Sequence, residues 1–186
     1  MSLRWRALVL GLVLAGCERE PAADPAPEAG PSGTTAAAAT GPVEIAHFPL
    51  SEGAVPQGAD AVFDPEISRD GDGSLRLQTE HGGRLRLYAL DDLGQVKGRL
   101  VFTGFLKSND LRGAAFFEMQ CRPTTGNSAF VRGVTGRVEK TSDWKPTQIG
   151  FSRPDLCSNP LSVELNVVVD GSGTVWIDDL RLWSVP

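Results

Sequence analysis

The chain has 186 residues, a formal net charge of −5 and three cysteines. Its acidity argues against nucleic acid and anionic membrane surfaces as partners, since both recruit basic patches. Its length favours one folded domain.

The first residues carry an address. Arg4 and Arg6 precede an apolar run from Ala7 to Ala15, which reads as a secretory signal and is too short for a permanent membrane helix. No later stretch is long and apolar enough to cross as a helix. Leu14-Ala15-Gly16-Cys17 resembles a bacterial lipobox. That resemblance implies removal of residues 1–16, acylation of Cys17, export, and a lipid anchor in the cell envelope. In many diderm bacteria an aspartate after the lipidated cysteine retains such a lipoprotein in the inner membrane. Glu18 stands there instead, which favours the outer membrane.

Residues 17–42 follow as the lipidated cysteine and an Ala/Pro-rich tether. Glu18 to Pro42 contain no aromatic residue and no Val, Ile, Leu or Met. Such a segment cannot bury enough apolar surface to offset its ordering entropy. As a flexible coil it would reach about 25–30 Å.

Residues 43–186 form the domain. Short runs alternate apolar and polar residues between Gly, Asp, Asn and Pro turns, the signature of strands. Val43–Phe48 is the first. Leu75 and Leu77 alternate with Arg76 and Gln78, and Leu85, Leu87 and Ala89 alternate with Arg84, Arg86 and Tyr88. Gly82-Gly83 between these two runs predicts a hairpin. Further strands are expected at Arg99–Lys107, Ala114–Arg122, Ala129–Val138, Thr147–Phe151 and Thr174–Trp183. Leu161, Val163, Leu165, Val167 and Val169 mark another, broken only by Val168. In the last strand Val175 and Ile177 have one parity and Leu180 and Leu182 the other. A bulge at Asp178-Asp179 resolves that switch and turns an aspartate towards the interior or an edge. No window supports a long amphipathic helix. The pattern predicts an all-β, antiparallel β-sandwich or jelly roll.

Setting Cys17 aside, Cys121 and Cys157 remain as a pair. In an oxidising compartment they are expected to form one disulfide, contributing about 3–4 kcal/mol in the chain-entropy model. Neither lies in a CxxC, so a redox or zinc role has little support.

Several segments resemble a β-jelly-roll module of the galactose-binding-like, carbohydrate-binding-module type. They are Asp72-Gly73-Ser74-Leu75-Arg76-Leu77, the run Lys97 to Lys107, Thr141-Ser142-Asp143-Trp144-Lys145, and above all the closing Gly171 to Leu182. The resemblance implies that Trp144 packs into the core. It also implies a structural calcium held by an aspartate on the last strand with groups near the domain start. Asp178 matches the first, and Glu44 is the early carboxylate that could join it. Calcium takes hard oxygen ligands.

The sequence carries no complete catalytic pattern. Ser68-x-Asp70-x-Asp72-Gly73 imitates part of an EF-hand loop, but Thr79 stands where the bidentate glutamate belongs, so turn chemistry is the better reading. His47 and His81 belong to no metal-spaced cluster. There is no G-x-S-x-G elbow and no P-loop. Glu118 and Glu164 sit at polar strand positions, and paired carboxylates can serve glycoside hydrolysis, yet exposed carboxylates on a sheet are ordinary. The chain is therefore read as a non-enzyme.

A binding surface is expected from polar residues and exposed rings, since sugars stack on rings and hydrogen-bond to neighbouring groups. The candidates are Tyr88, Arg84, Arg86, Gln120, Arg132 and Trp176. The function expected is a membrane-anchored, non-catalytic envelope binding module with a carbohydrate as ligand. The alternative is a structural or protein-interaction lipoprotein that docks an envelope protein.

Overall fold

A computed structural model describes residues 41–48, 50–51 and 61–186. The signal, Cys17 and nearly all of the tether lie outside them. Among the described residues eight strands form one antiparallel sheet: β1 (Val43–Phe48), β2 (Ala61–Asp64), β3 (Ser74–Thr79), β4 (Gly83–Asp91), β5 (Arg99–Pro123), β6 (Ala129–Arg132), β7 (Val138–Gly150) and β8 (Pro160–Val185). The sheet runs β2-β3-β8-β5-β6, with β1 and β4 also on β8 and β7 also on β5. Two short 3₁₀ turns, Val134–Gly136 and Pro154–Cys157, complete the described chain. The architecture is the all-β sandwich that the alternation predicts.

The long β5–β8 ribbon makes a single sheet into a sandwich. It pairs from Arg99↔Val185 to Pro123↔Pro160, far longer than a typical strand, and it bends in the middle. There the register shifts between Asn109 and Arg112. Gly113 (φ 126°) and Gly171 (φ 124°) face each other across the bend. A Cβ on either would overlap the carbonyl oxygen of Asp170 or Arg112, so only glycine allows the two backbones to cross this closely.

Beyond the bend the halves face one another. One half holds β1, β2, β3, the start of β5 and the end of β8. The other holds β4, β6, the end of β5 and the start of β8. Phe102 from the first half meets Phe117 from the second with ring centroids 4.6 Å apart, and both are fully buried. Leu100, Leu106, Leu180 and Leu182 join Met119, Val163, Leu165 and Val167 around them.

Two expectations about the chain path are corrected. Arg99–Lys107 and Ala114–Arg122 are parts of one bent strand. The runs around Leu75 and Leu85 do not form a hairpin at Gly82-Gly83. Instead β3 pairs with Gly173–Ile177 and β4 with Ser162–Val169, so both lie antiparallel to β8, one after the other. Gly82 (φ 74°) lies against the Val169 carbonyl and the Gly171 amide. The glycines carry the chain round the β8 bend rather than reversing it, because both runs bury their leucines by pairing with β8.

The bulge expected in the last strand is present. Thr103 pairs with Arg181 and Phe105 with Asp178, and Asp179 adopts φ 49°. This one-residue insertion puts Val175, Ile177, Leu180 and Leu182 in the same core. Cys121 and Cys157 are disulfide-bonded, with Cα atoms 6.0 Å apart. Trp144 is half-buried and lies outside the core. Register shifts between Leu106 and Ser108 and between Ser108 and Leu111 break the alternation opposite it.

Candidate ligand-binding face

The outer face of the β4–β8–β5–β6 half gathers four of the expected binding residues. Arg86 pairs with Asn166, Asn166 with Glu118, and Glu118 with Arg132. One level along, Glu164 pairs with Gln120 and Gln120 with Phe130. Period-two alternation therefore places Arg84, Arg86, Gln120 and Arg132 together.

Glu118 is the hub and is 2% exposed. Arg84 Nε donates to Oε1 at 2.8 Å and Arg132 Nε to Oε2 at 2.6 Å. A carboxylate this buried requires such pairing. Arg84 also donates to Gln120 Oε1 at 2.9 Å. Arg84 and Arg86 each lie 3.9 Å from Glu164. Both oxygens of Glu118 are thus committed and are not free to activate a water, which disfavours a Glu118–Glu164 hydrolytic pair.

Two features on this face were not singled out from the sequence. Phe130 is 66% exposed, and the Arg132 guanidinium lies 5.5 Å from its ring centroid. An exposed ring flanked by hydrogen-bonding groups is a stacking surface. The signal was available, because Phe130 shares parity with Arg132 in Ala129-Phe130-Val131-Arg132. Asn166 is the second. It is 1% exposed, yet neither Nδ2 nor Oδ1 has a hydrogen-bond partner. Buried amides without partners are uncommon and costly. No sequence signal marks it, since its isolation depends on its neighbours' geometry.

Tyr88 and Trp176 do not belong to this face. A register shift between Arg86 and Tyr88 makes Tyr88 the partner of Leu165. Its ring turns to the core, stacked on Phe48 at 4.2 Å, and burial pushes its phenol pKa up. Trp176 lies on the other half, paired with Arg76 and Lys107. Its indole N–H donates to Asp64 Oδ2 at 2.9 Å. Burial raises the Asp64 pKa, but this bond, the Glu66 and Ile67 amides and Arg76 together hold it below the ordinary value.

The carboxylates that the fold brings to Asp178 are Asp70 and Asp72, with ligand atoms all within 4.8 Å of one another. Glu44 is instead held by Arg181 at 3.0 Å. The Ser68–Gly73 segment makes the expected turn, Gly71 N–H donating to Ser68 Oγ at 2.9 Å. The same segment reaches Asp178, which accepts the Arg69 amide at 2.8 Å and the Asp179 amide at 2.7 Å. Burial pushes the Asp178 carboxyl up, with the charges of Asp70 and Asp179 adding to it. A hydrogen bond shared with Asp70 pushes Asp72 up and Asp70 down. An all-oxygen donor set with mutual repulsion suits a hard cation. His47 stands 3.5 Å from Asp179, and His81 is exposed.

No model of a known protein family matches the chain, and no curated protein matches it. Solved structures do. The CBM22-1 xylan-binding domain of Paenibacillus barcinonensis Xyn10C superposes with a TM-score of 0.56 at 17% identity, covering 80% of this chain and 98% of that one. The CBM 22 xylan-binding domain formerly called x6b gives 0.50 at 14% identity, covering 80% and 97%. The CBM22-1–GH10 modules of Clostridium thermocellum xylanase 10B, complexed with xylohexaose, give 0.52 at 16%, covering 75% and 28%. The domain has the fold of the carbohydrate-binding-module β-sandwiches.

Proposed function

We propose that the domain is a non-catalytic carbohydrate-binding module and that a glycan lies on the outer face of the β4–β8–β5–β6 half. The observation that carries this reading is the 66% exposed Phe130 ring, set beside Arg132 and Gln120 with the uncommitted amide of Asn166 nearby. The ring offers stacking, and the polar side chains beside it offer hydrogen bonds to sugar hydroxyls. Solved modules of the same fold that bind xylan make glycan the first ligand class to test. Calorimetric titration of the full-length chain with neutral and acidic oligosaccharides tests the reading. Saturable binding weakened at least tenfold by Phe130→Ala supports it. No response across the panel, with an envelope protein co-purifying, favours protein docking instead.

The lipobox supports a second part of the reading, that Cys17 is acylated and tethers the domain to the outer membrane. Cys17→Ala is expected to abolish fatty-acid labelling and release the protein from the membrane fraction. Labelling that persists overturns it.

The third part concerns calcium. Asp70, Asp72 and Asp178 are the residues that would hold the ion, pinning the β2–β3 loop to β8. A bound ion raises Tm by mass action. Calcium is expected to raise Tm in the parent, and Asp178→Ala to remove that increment. An unchanged Tm in saturating calcium overturns it.

A further inference from the structure

We infer that the glycan taken by this face is anionic, a polysaccharide whose carboxylates pair with Arg86 and Arg122. The inference rests on the glycan reading above and names the substrate class for the same site. Arg84, Arg86, Arg122 and Arg132 share this face with Glu118, Glu164 and Asp91, the last opposite Ser162, although the whole chain is acidic. The outer side of the other half has the opposite balance, with Asp64, Asp70, Asp72, Asp178 and Asp179 around Arg69, Arg76 and Arg181.

The arginines divide into two kinds. Arg84 and Arg132 are consumed by buried Glu118. Arg86 is 64% exposed, and its only ion pair among the described residues is the 3.9 Å contact to Glu164, a separation and exposure at which an ion pair contributes little. Arg122 is exposed and spends Nε on Ser162 Oγ at 3.2 Å. Its two terminal nitrogens have no partner among the described residues. A guanidinium fork matches a carboxylate with two parallel hydrogen bonds.

Spacing sets the size of the ligand. Arg86 and Arg122 are two strands apart, and Arg122 lies four residues beyond Glu118, which shares Arg86's level. By strand spacing and rise this is roughly 15 Å. A single acidic sugar does not bridge that gap, whereas an oligosaccharide with acidic units at intervals does.

Two matched probe pairs test this by calorimetry on the full-length chain. One is xylo-oligosaccharides with and without glucuronic acid branches. The other is oligogalacturonates and the same fragments with their carboxylates reduced to alcohols. In at least one pair the acidic member is expected to bind about tenfold more tightly, with an advantage that shrinks in high salt. Arg86→Gln and Arg122→Gln are each expected to reduce that preference at least threefold while Tm holds. Equal affinity within both pairs overturns the anionic class and leaves the glycan reading standing. A preference that survives both substitutions overturns the role of these arginines. No binding of any probe overturns this inference together with the glycan reading.

Discussion

The two outer faces of the sandwich use aromatic residues in opposite ways. On the half built from β1, β2 and β3, Trp176 donates to Asp64 and Trp183 to Thr103 at 3.0 Å. Phe105 there is covered by the Arg69 guanidinium, 3.7 Å from its centroid. Every one of these rings is half-buried and engaged by its own protein. On the half built from β4 and β6, Phe130 is open and Asn166 is unsatisfied. A face whose polar and aromatic groups are paired internally serves stability, and a face that leaves a ring exposed has it available for a ligand. The number of tryptophans is therefore a poor guide to a sugar site in this chain, and partner accounting is a better one.

The largest test breaks the comparison at its root. Gly171→Val places a branched side chain where φ is 124° and the Arg112 carbonyl already stands. We expect a loss of more than about 4 kcal/mol, read as the absence of a cooperative thermal transition. A stable variant would mean that the bend does not depend on backbone contact. Next comes the disulfide. Replacing Cys121 and Cys157 by serine is expected to cost about 3–4 kcal/mol, seen as a lower denaturant midpoint with a somewhat steeper slope, because the unfolded chain loses a cross-link and exposes more surface.

A crossed pair of substitutions sharpens the contrast between faces. Phe130→Ala should weaken glycan binding at least tenfold and move stability by no more than about 0.5 kcal/mol, as exposed sites do. Trp176→Phe should do the reverse, costing about 1–3 kcal/mol by leaving Asp64 without its indole donor and leaving affinity unchanged. The contrast between faces fails if both variants act on the same property.

The smallest effect is a pH dependence confined to the tryptophan face. The folded Asp64 carboxyl is held below its ordinary value, so the folded state binds this proton less readily than the unfolded chain does. Its stabilisation is complete above the unfolded value and drains away as pH falls through the folded one. Asp64→Asn should flatten the acid limb of a Tm–pH curve. A limb of unchanged slope would show that other carboxylates govern acid unfolding.

Much of the fold was legible because alternation is local. The leucines and valines of β3, β4 and β8 announce their buried side in consecutive residues, and the parity switch at Asp178-Asp179 announces its own bulge. The shared face of Arg84, Arg86, Gln120 and Arg132 followed from the same rule. The failures lie where pairing overrides local pattern. Tyr88 has the parity of Arg86, but one inserted residue opposite β8 reverses its direction. Gly82-Gly83 has the composition of a hairpin turn, yet the chain there follows a bend set by Gly171, far away in sequence.

By itself, the sequence determined an all-β domain, its paired cysteines, and which residues of each strand share a side. Each of these depends on composition or on neighbours a few residues apart. Only the tertiary structure decided which strands lie side by side, that Asp70 and Asp72 meet Asp178, that both oxygens of Glu118 are occupied, that Phe130 is left exposed, and that the Asn166 amide is left without a hydrogen-bond partner. Register, burial and hydrogen-bond satisfaction are properties of strands brought together from distant parts of the chain, and no single stretch of residues contains them.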